Sequence, residues 1–234
     1  MMRSPVKRSR IFAISLPRAR SRRLHLLSQL LPTGWDFEVV DAVDGLATRP
    51  ERLVVPVDAW PLTVTQVACY RSHLGVLQRI VDYQLDHAIV LEDDGVLDPA
   101  GEMTLENLWD HLPPDADHVQ LHNLKFPFYD EYRCLEPGRR FNRVGPTSIG
   151  SWGYLISRRL AEHILIHHAE PRRPIDHLYI QLSRELQDRF GFHDTVDCLV
   201  NILPDEPSNI NGAPRAKRDW WSGLRRLFKS SATS

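Results

Sequence analysis

The segment Ala88-Ile89-Val90-Leu91-Glu92-Asp93-Asp94-Gly95 sets four apolar residues directly against three carboxylates and a glycine. Four apolar residues without polar alternation suit a strand buried on both faces, as in a parallel sheet between helices. Just upstream, a helix is expected from Thr63, with Val67, Leu74, Leu77 and Val81 along one face. Further back, the apolar run Arg10 to Leu16 ends in a Pro17-Arg18 turn. Leu24, Leu27, Leu30 and Leu31 then follow at helical spacing until Pro32 and Gly34. Phe37 to Val43 reads as a strand closed by Asp44-Gly45, and residues 46 to 62, with three prolines, as a loop.

Beyond the acidic segment the pattern repeats. A helix is expected over Leu105–His111 and a strand over His118–Leu121, followed by a long aromatic, Pro-, Gly- and Arg-rich loop from 123 to 150. Trp152–Ser157 reads as a strand, Leu160–His167 and Ile175–Leu186 as helices, and Val196–Leu203 as a last strand. Such alternation predicts an α/β fold with a mostly parallel central sheet flanked by helices. Ligands of these sheets bind beyond the carboxyl ends of the strands, which puts Glu92-Asp93-Asp94 and the Pro17-Arg18 turn on one rim.

The composition bounds the function classes. The chain has 234 residues, 42% hydrophobic and 25% charged, as in an ordinary globular protein with a sizeable core. Its 29 basic and 30 acidic residues nearly cancel, so nucleic acid is not an expected partner. The apolar run Ile11–Leu16 is too short for a secretory signal, and no run approaches the roughly 20 apolar residues of a membrane-spanning helix. Cys69, Cys134 and Cys198 are widely spaced and read as small core or loop residues of a reducing compartment, so a cytoplasmic location is expected.

Three consecutive carboxylates at a buried strand end repel one another and need a cation or basic partners. Side-chain direction alternates along a strand, so Glu92 and Asp94 point the same way. Two oxygen ligands with open positions opposite suit a hard divalent ion that also holds substrate phosphates, such as the diphosphate of a nucleotide sugar. The plainer reading is a solvated helix cap.

With those residues in hand, the chain resembles glycosyltransferase family 25, the lipopolysaccharide and lipooligosaccharide biosynthesis glycosyltransferases. The resemblance runs in order through Ile14-Ser15-Leu16-Pro17-Arg18 with Arg22-Arg23, then Val40 to Gly45, Thr65 to Leu74, Ile89 to Asp94, Trp152 to Arg158, Pro174-Ile175-Asp176 and Pro207-Ser208-Asn209-Ile210. It implies a domain over residues 9–211 with a GT-A-like nucleotide-diphospho-sugar transferase fold. It also implies a nucleotide-sugar donor, commonly UDP-galactose, and a glycan acceptor on a lipid-linked saccharide. By the same resemblance, Glu92 and Asp94 take Mn2+ or Mg2+ and the diphosphate, while Arg18, Ser72, His73 and Asp93 serve the donor. Four residues depart from the family pattern: Ser15 for Asn, Pro17 for Asp, Gln66 for Glu and Ala68 for Gly.

Several residues carry two readings. Asp176 is either a first-turn helix acid or the general base of an inverting sugar transfer. His73 is either a structural hydrogen-bonding residue or a substrate contact. His193 and Asp194 are either surface residues or further metal ligands, and Trp152 either core or a sugar-stacking ring. Arg139, Arg140 and Arg143 are loop charges or phosphate contacts. Residues 212–234 form a basic tail in which Trp220, Trp221, Leu224, Leu227 and Phe228 fall at helical spacing. That pattern suits an amphipathic helix on an anionic membrane surface, or a tail docked on its own domain. The expectation is a cytoplasmic, peripheral, metal-dependent hexosyltransferase. Its rivals are a catalytically degenerate relative that binds without transfer, and a metal-dependent phosphohydrolase.

Overall fold

A computed structural model describes residues 9–99, 103–105, 107–122, 140–143, 150–203 and 218–219. The strand predicted before the acidic cluster, β4 (His87–Glu92), lies inside a seven-stranded sheet of order β2-β1-β4-β8-β6-β9-β7. The other members are β1 (Ser9–Ser15), β2 (Phe37–Asp41), β6 (Ala116–Gln120), β7 (Phe141–Asn142), β8 (Gly153–Ser157) and β9 (Gly191–Thr195). Five of the seven run the same way; β8 and β7 are reversed and pair antiparallel with their neighbours. The mostly parallel α/β sheet expected from the sequence is therefore present, with a reversed strand directly beside β4.

Burial on both faces explains the unbroken apolar runs. In β1 and β4, Phe12, Ile14, Ala88 and Val90 enter one core, while Ile11, Ala13, Ile89 and Leu91 enter another on the opposite face. Helices α2 (Val64–Asp82), α4 (Arg158–His167) and α5 (Ile175–Glu185) cover the first face. Helix α1 (Arg20–Leu30) and the short α3 (Leu108–His111) cover the second. A third core packs Leu53, Val55, Ala59 and Leu62 against Val64, Val67 and Ala68 at the start of α2. Among the described residues no helix is long and apolar enough to cross a membrane.

Four expectations need correction. The 46–62 segment holds a 3-10 turn at Pro50–Arg52 and the two-residue strand β3 (Val55–Pro56), because its leucines and valines feed the third core. The helix at Leu105–His111 shrinks to its last four residues. The last strand, expected over Val196–Leu203, shortens to β10 (Val200–Ile202), which pairs with β5 (Gly95–Leu97), and the unexpected β9 precedes it in the main sheet. β9 was hidden by its polar residues His193, Asp194 and Thr195, which are buried and partnered, as where Thr195 donates to the Gln120 carbonyl. In the tail, Arg218–Asp219 form an extended strand, β11, paired parallel to Val55 and Pro56, so the expected helix does not include them. The rest of the tail, the Pro207–Ile210 motif, Cys134 and Arg139 lie outside the described residues.

Helix α2 is aimed at the rim by a capping box. Thr63 accepts from the Gln66 backbone N–H at 3.2 Å, and Gln66 Oε1 accepts from Thr63 N at 2.9 Å. The Asp44-Gly45 turn then rests on this first turn so closely that a Cβ on Gly45 would meet Val64 O at 2.7 Å and Thr65 Cα at 2.8 Å. Both are backbone atoms that cannot rotate aside. Gly45→Ala is therefore expected to lower stability by about 1–3 kcal/mol, as overpacking does, and urea unfolding measures it. A change under about 0.5 kcal/mol would mean that the turn and the helix end can separate freely.

Candidate active site

The three carboxylates at the end of β4 meet three different environments. Glu92 Oε1 accepts from Ser151 Oγ and lies 3.1 Å from His73 Nε2. His73 is wholly buried, and its Nδ1 lies 2.8 Å from the Tyr154 hydroxyl. The Tyr154 hydroxyl in turn accepts from Tyr179 at 2.9 Å. Tyr154 is thus left to donate to Nδ1, which puts the ring proton of His73 on Nε2, directed at Glu92. Burial pushes the Glu92 carboxyl up, but the His73 and Ser151 bonds outweigh it, so Glu92 is held below the usual carboxylate range.

Asp93 faces the opposite side. Its Oδ2 accepts from Ser15 Oγ at 2.8 Å and from Leu16 N at 3.2 Å, and its Oδ1 accepts from Arg22 Nη1 at 3.2 Å. Asp93 and Arg22 are each only 6% exposed. This buried pair clamps the end of β1 and the first turn of α1 onto the end of β4. Asp93, expected at the donor, therefore has both oxygens engaged in the scaffold.

Asp94 is the least satisfied. Its Oδ2 is 3.6 Å from the same Arg22 guanidinium, and its Oδ1 is buried without a hydrogen-bond partner among the described residues. Burial, then the charge of Glu92, pushes its carboxyl up to about 7 despite Arg22. A half-buried carboxylate with an orphaned oxygen, beside a second carboxylate held ionised, is a donor set that fits a hard divalent cation. The three acids share a cleft of about 90 Å³ with Leu16, Arg18, Thr65, Cys69 and His73.

The other expected residues sort clearly. Arg18 lines the cleft, half-exposed, and its Nε donates to Asp44 Oδ2 at 2.5 Å. Ser72 also lines it, but its hydroxyl donates to Ala68 O at 2.8 Å and accepts from Val43 N at 2.9 Å, which fixes the β2–α2 turn. Asp176, in the first turn of α5, accepts from His177 N at 2.9 Å and from the backbone of Gly150. Burial raises its carboxyl, and the charge of Glu92 adds to the rise, which brings Asp176 into the electrostatic reach of the acidic cluster.

His193 and Asp194 do not join that cluster. They lie on β9, three strands from β4 and thus roughly 14 Å away at normal strand spacing. His193 is 3.2 Å from Asp115 Oδ1 instead. Trp152 belongs to the second core, with its ring 3.7 Å from that of His122 and its Nε1 donating to Val200 O. Arg143 pairs with Asp115 at 3.3 Å.

Sequence reading missed Arg22 as the counter-charge, Ser151 and Tyr154 as supports, and Cys69 as a cleft residue. It also missed His122, whose ring, pushed down to about 4 by burial, feels the charge of Glu92. Arg22, Cys69 and Tyr154 lie inside the motifs quoted above, but their parts in the cluster follow only from the fold, and Ser151 and His122 carry no local signal.

The profile of Glycosyltransferase family 25 (LPS biosynthesis protein) matches residues 8–179. Human procollagen galactosyltransferase 2 is 30% identical over 122 residues, 47% of this chain and 19% of that protein. The mouse protein named inactive glycosyltransferase 25 family member 3 is 35% identical over 95 residues, 36% of this chain and 16% of its own length. The chain therefore spans less than a fifth of the length of these curated relatives in the matched region. A solved glycosyltransferase involved in glycosylation of the major capsid of PBCV-1 aligns at 12% identity and a TM-score of 0.41, covering 68% of this chain and 64% of that one.

Asp94 gives a pH signature. Its carboxyl keeps its proton up to about pH 7 in the folded state, but only to about pH 4 when unfolded. The folded state holds the extra proton between those values, so stability from this group is full below about pH 4 and is lost as pH rises through about 7. In chelator, Asp94→Asn is expected to match the wild type near pH 4 and to unfold at a higher temperature near pH 8. An equal offset at both pH values would exclude a buried, protonated Asp94.

Proposed function

The chain belongs to glycosyltransferase family 25, and on that premise we propose that it transfers galactose from UDP-galactose, with inversion, to a hydroxyl of a lipopolysaccharide-type or other surface glycan. The observation that carries the proposal is the pair Glu92 and Asp94 in the cleft at the carboxyl ends of β1 and β4, with one Asp94 oxygen buried and unpartnered among the described residues. The names of the relatives support galactose as the sugar. The family description supports a lipopolysaccharide-type acceptor, whereas the relatives act by name on procollagen.

Each residue has a task on this reading. Glu92 and Asp94 hold Mn2+ or Mg2+, which would offset the charge that grows on the departing nucleoside diphosphate. His73 and Ser151 keep Glu92 ionised and oriented. Arg22 and Ser15 hold Asp93 and so fix the strand end. Asp176 accepts the acceptor's hydroxyl proton as that oxygen attacks the anomeric carbon from the side opposite the diphosphate. Its raised carboxyl makes it a stronger base near neutral pH than an exposed aspartate.

The departures from the family pattern have structural partners. Ser15 donates to Asp93, Gln66 completes the capping box, and Pro17 sits second in a turn closed by Ala19 N to Leu16 O at 2.9 Å. These contacts favour an active enzyme over the degenerate rival. Residues 220–234 are proposed to rest on an anionic leaflet where a lipid-linked acceptor is met, at roughly 1 kcal/mol per basic residue. Deleting them should abolish sedimentation with phosphatidylglycerol vesicles, and unchanged sedimentation would remove the anchor.

A thermal-shift panel of nucleotide sugars, with and without Mn2+, tests the reading. UDP-galactose plus Mn2+ is expected to stabilise most, and Asp94→Asn to lose the effect. Transfer assays with lipopolysaccharide core sugar and with procollagen then separate the acceptor classes. Asp176→Asn should lower kcat about 100-fold or more while leaving the thermal shift in place. Stabilisation without transfer to either acceptor would favour binding alone, and release of free sugar without acceptor would favour a hydrolase.

A further inference from the structure

Cys69 and His73 stand four residues apart on α2, so their side chains share one face of the helix, and that face opens into the cleft. Cys69 Sγ, a His73 ring nitrogen and a Glu92 carboxylate oxygen all lie within 4.8 Å of one another. Neither the hard-cation pair nor the proton-accepting step employs the thiol. Tetrahedral zinc, with bonds of about 2.0–2.3 Å, places its ligand atoms about 3.3–3.7 Å apart, so the trio needs only a small contraction.

We infer that Cys69, His73 and Glu92 form a second cation site, selective for zinc over manganese and magnesium, on the wall of the cleft. Three features support it. A sulfur, nitrogen and oxygen donor set suits zinc and is poor for magnesium or manganese, which take oxygen. The ring nitrogen of His73 that faces away from Glu92 is already met by the Tyr154 hydroxyl at 2.8 Å, the kind of outer contact that orients a ligating histidine. The surroundings are also anionic: after burial, the charges on Glu92, Asp176 and Asp94 are what hold the Cys69 thiol protonated.

The protons balance simply. Zinc on His73 Nε2 moves the ring proton to Nδ1, which then donates to the Tyr154 oxygen, so the Tyr154 O–H turns to the Tyr179 oxygen and reverses that bond. The Cys69 thiol loses its proton to solvent, one per ion bound. Zinc held here uses the Glu92 carboxylate that the hard cation also needs, so the two ions compete. The site itself stands on geometry; only the competition rests on the transferase reading.

The test uses the full chain, stripped of metal and titrated with Co2+ as a spectroscopic stand-in for zinc. The expected result is a near-ultraviolet sulfur-to-cobalt charge-transfer band, saturating at one equivalent and abolished by one equivalent of Zn2+. Cys69→Ser should lose the band. Should Cys69→Ser fail to fold, the double variant Cys134→Ser and Cys198→Ser, which leaves Cys69 as the only thiol, must keep it. No band in the wild type, a band that persists in folded Cys69→Ser, or its loss in the folded double variant overturns the site. Stabilisation by UDP-galactose and Mn2+ is scored separately. A cobalt band without that stabilisation leaves the zinc site standing and removes the transferase reading, and the reverse result does the opposite.

Discussion

Like charges brought together at low dielectric constrain this molecule more than any other interaction. Two carboxylates 4 Å apart repel by about 4 kcal/mol at an effective dielectric constant of 20, and here three follow one another at the end of a buried strand. The fold answers them unequally. Glu92 receives His73 and Ser151, and Asp93 receives Arg22, Ser15 and the Leu16 backbone. Asp94 receives only a longer contact to an arginine that is already engaged. The deficit of positive charge is thereby concentrated on one carboxylate that faces a cleft, where a cation can make it good.

Those partners come from separate elements, and in satisfying the acids they also align the scaffold. The Asp93 clamp joins β1, α1 and β4. The run from Glu92 through His73 and Tyr154 to Tyr179 joins β4, α2, β8 and α5. Tyr179 lies one helical turn after Asp176 on α5, so the network that orients Glu92 also sets the helix that presents Asp176. Distortion at either end would be felt at the other, because the intervening groups are fully buried and have no water to replace a lost bond.

Much of this was legible in the sequence, for identifiable reasons. β1 and β4 are buried on both faces, so they appear as continuous apolar runs, and α2 begins with a capping box written in Thr63 and Gln66. β9 was not legible, because Gly191-Phe192-His193-Asp194-Thr195 buries its polar groups on tertiary hydrogen bonds rather than leaving them in solvent. The acidic cluster could be found from its strand, and its need for counter-charge could be deduced. That the counter-charge is Arg22, and that the thiol of Cys69 stands beside His73, depends on helices packed from opposite faces of the sheet, which no local pattern encodes.

Two of the four departures from the family pattern, Ser15 and Gln66, fall where a neutral hydrogen-bonding side chain makes the local contact. Ser15 presents a hydroxyl donor to Asp93, and Gln66 presents an amide oxygen to the Thr63 backbone where a carboxylate would otherwise sit. Pro17 needs no donor at the second position of its turn. None of these replacements removes charge from Glu92, Asp94 or Asp176, the groups whose ionisation depends on the cleft. A relative that has lost catalysis is expected to relax first at groups that are costly to keep. An unpartnered buried carboxylate is costly unless something binds it. Asp94 stands in a setting that destabilises its charge, so a cation bound in the cleft would offset that cost.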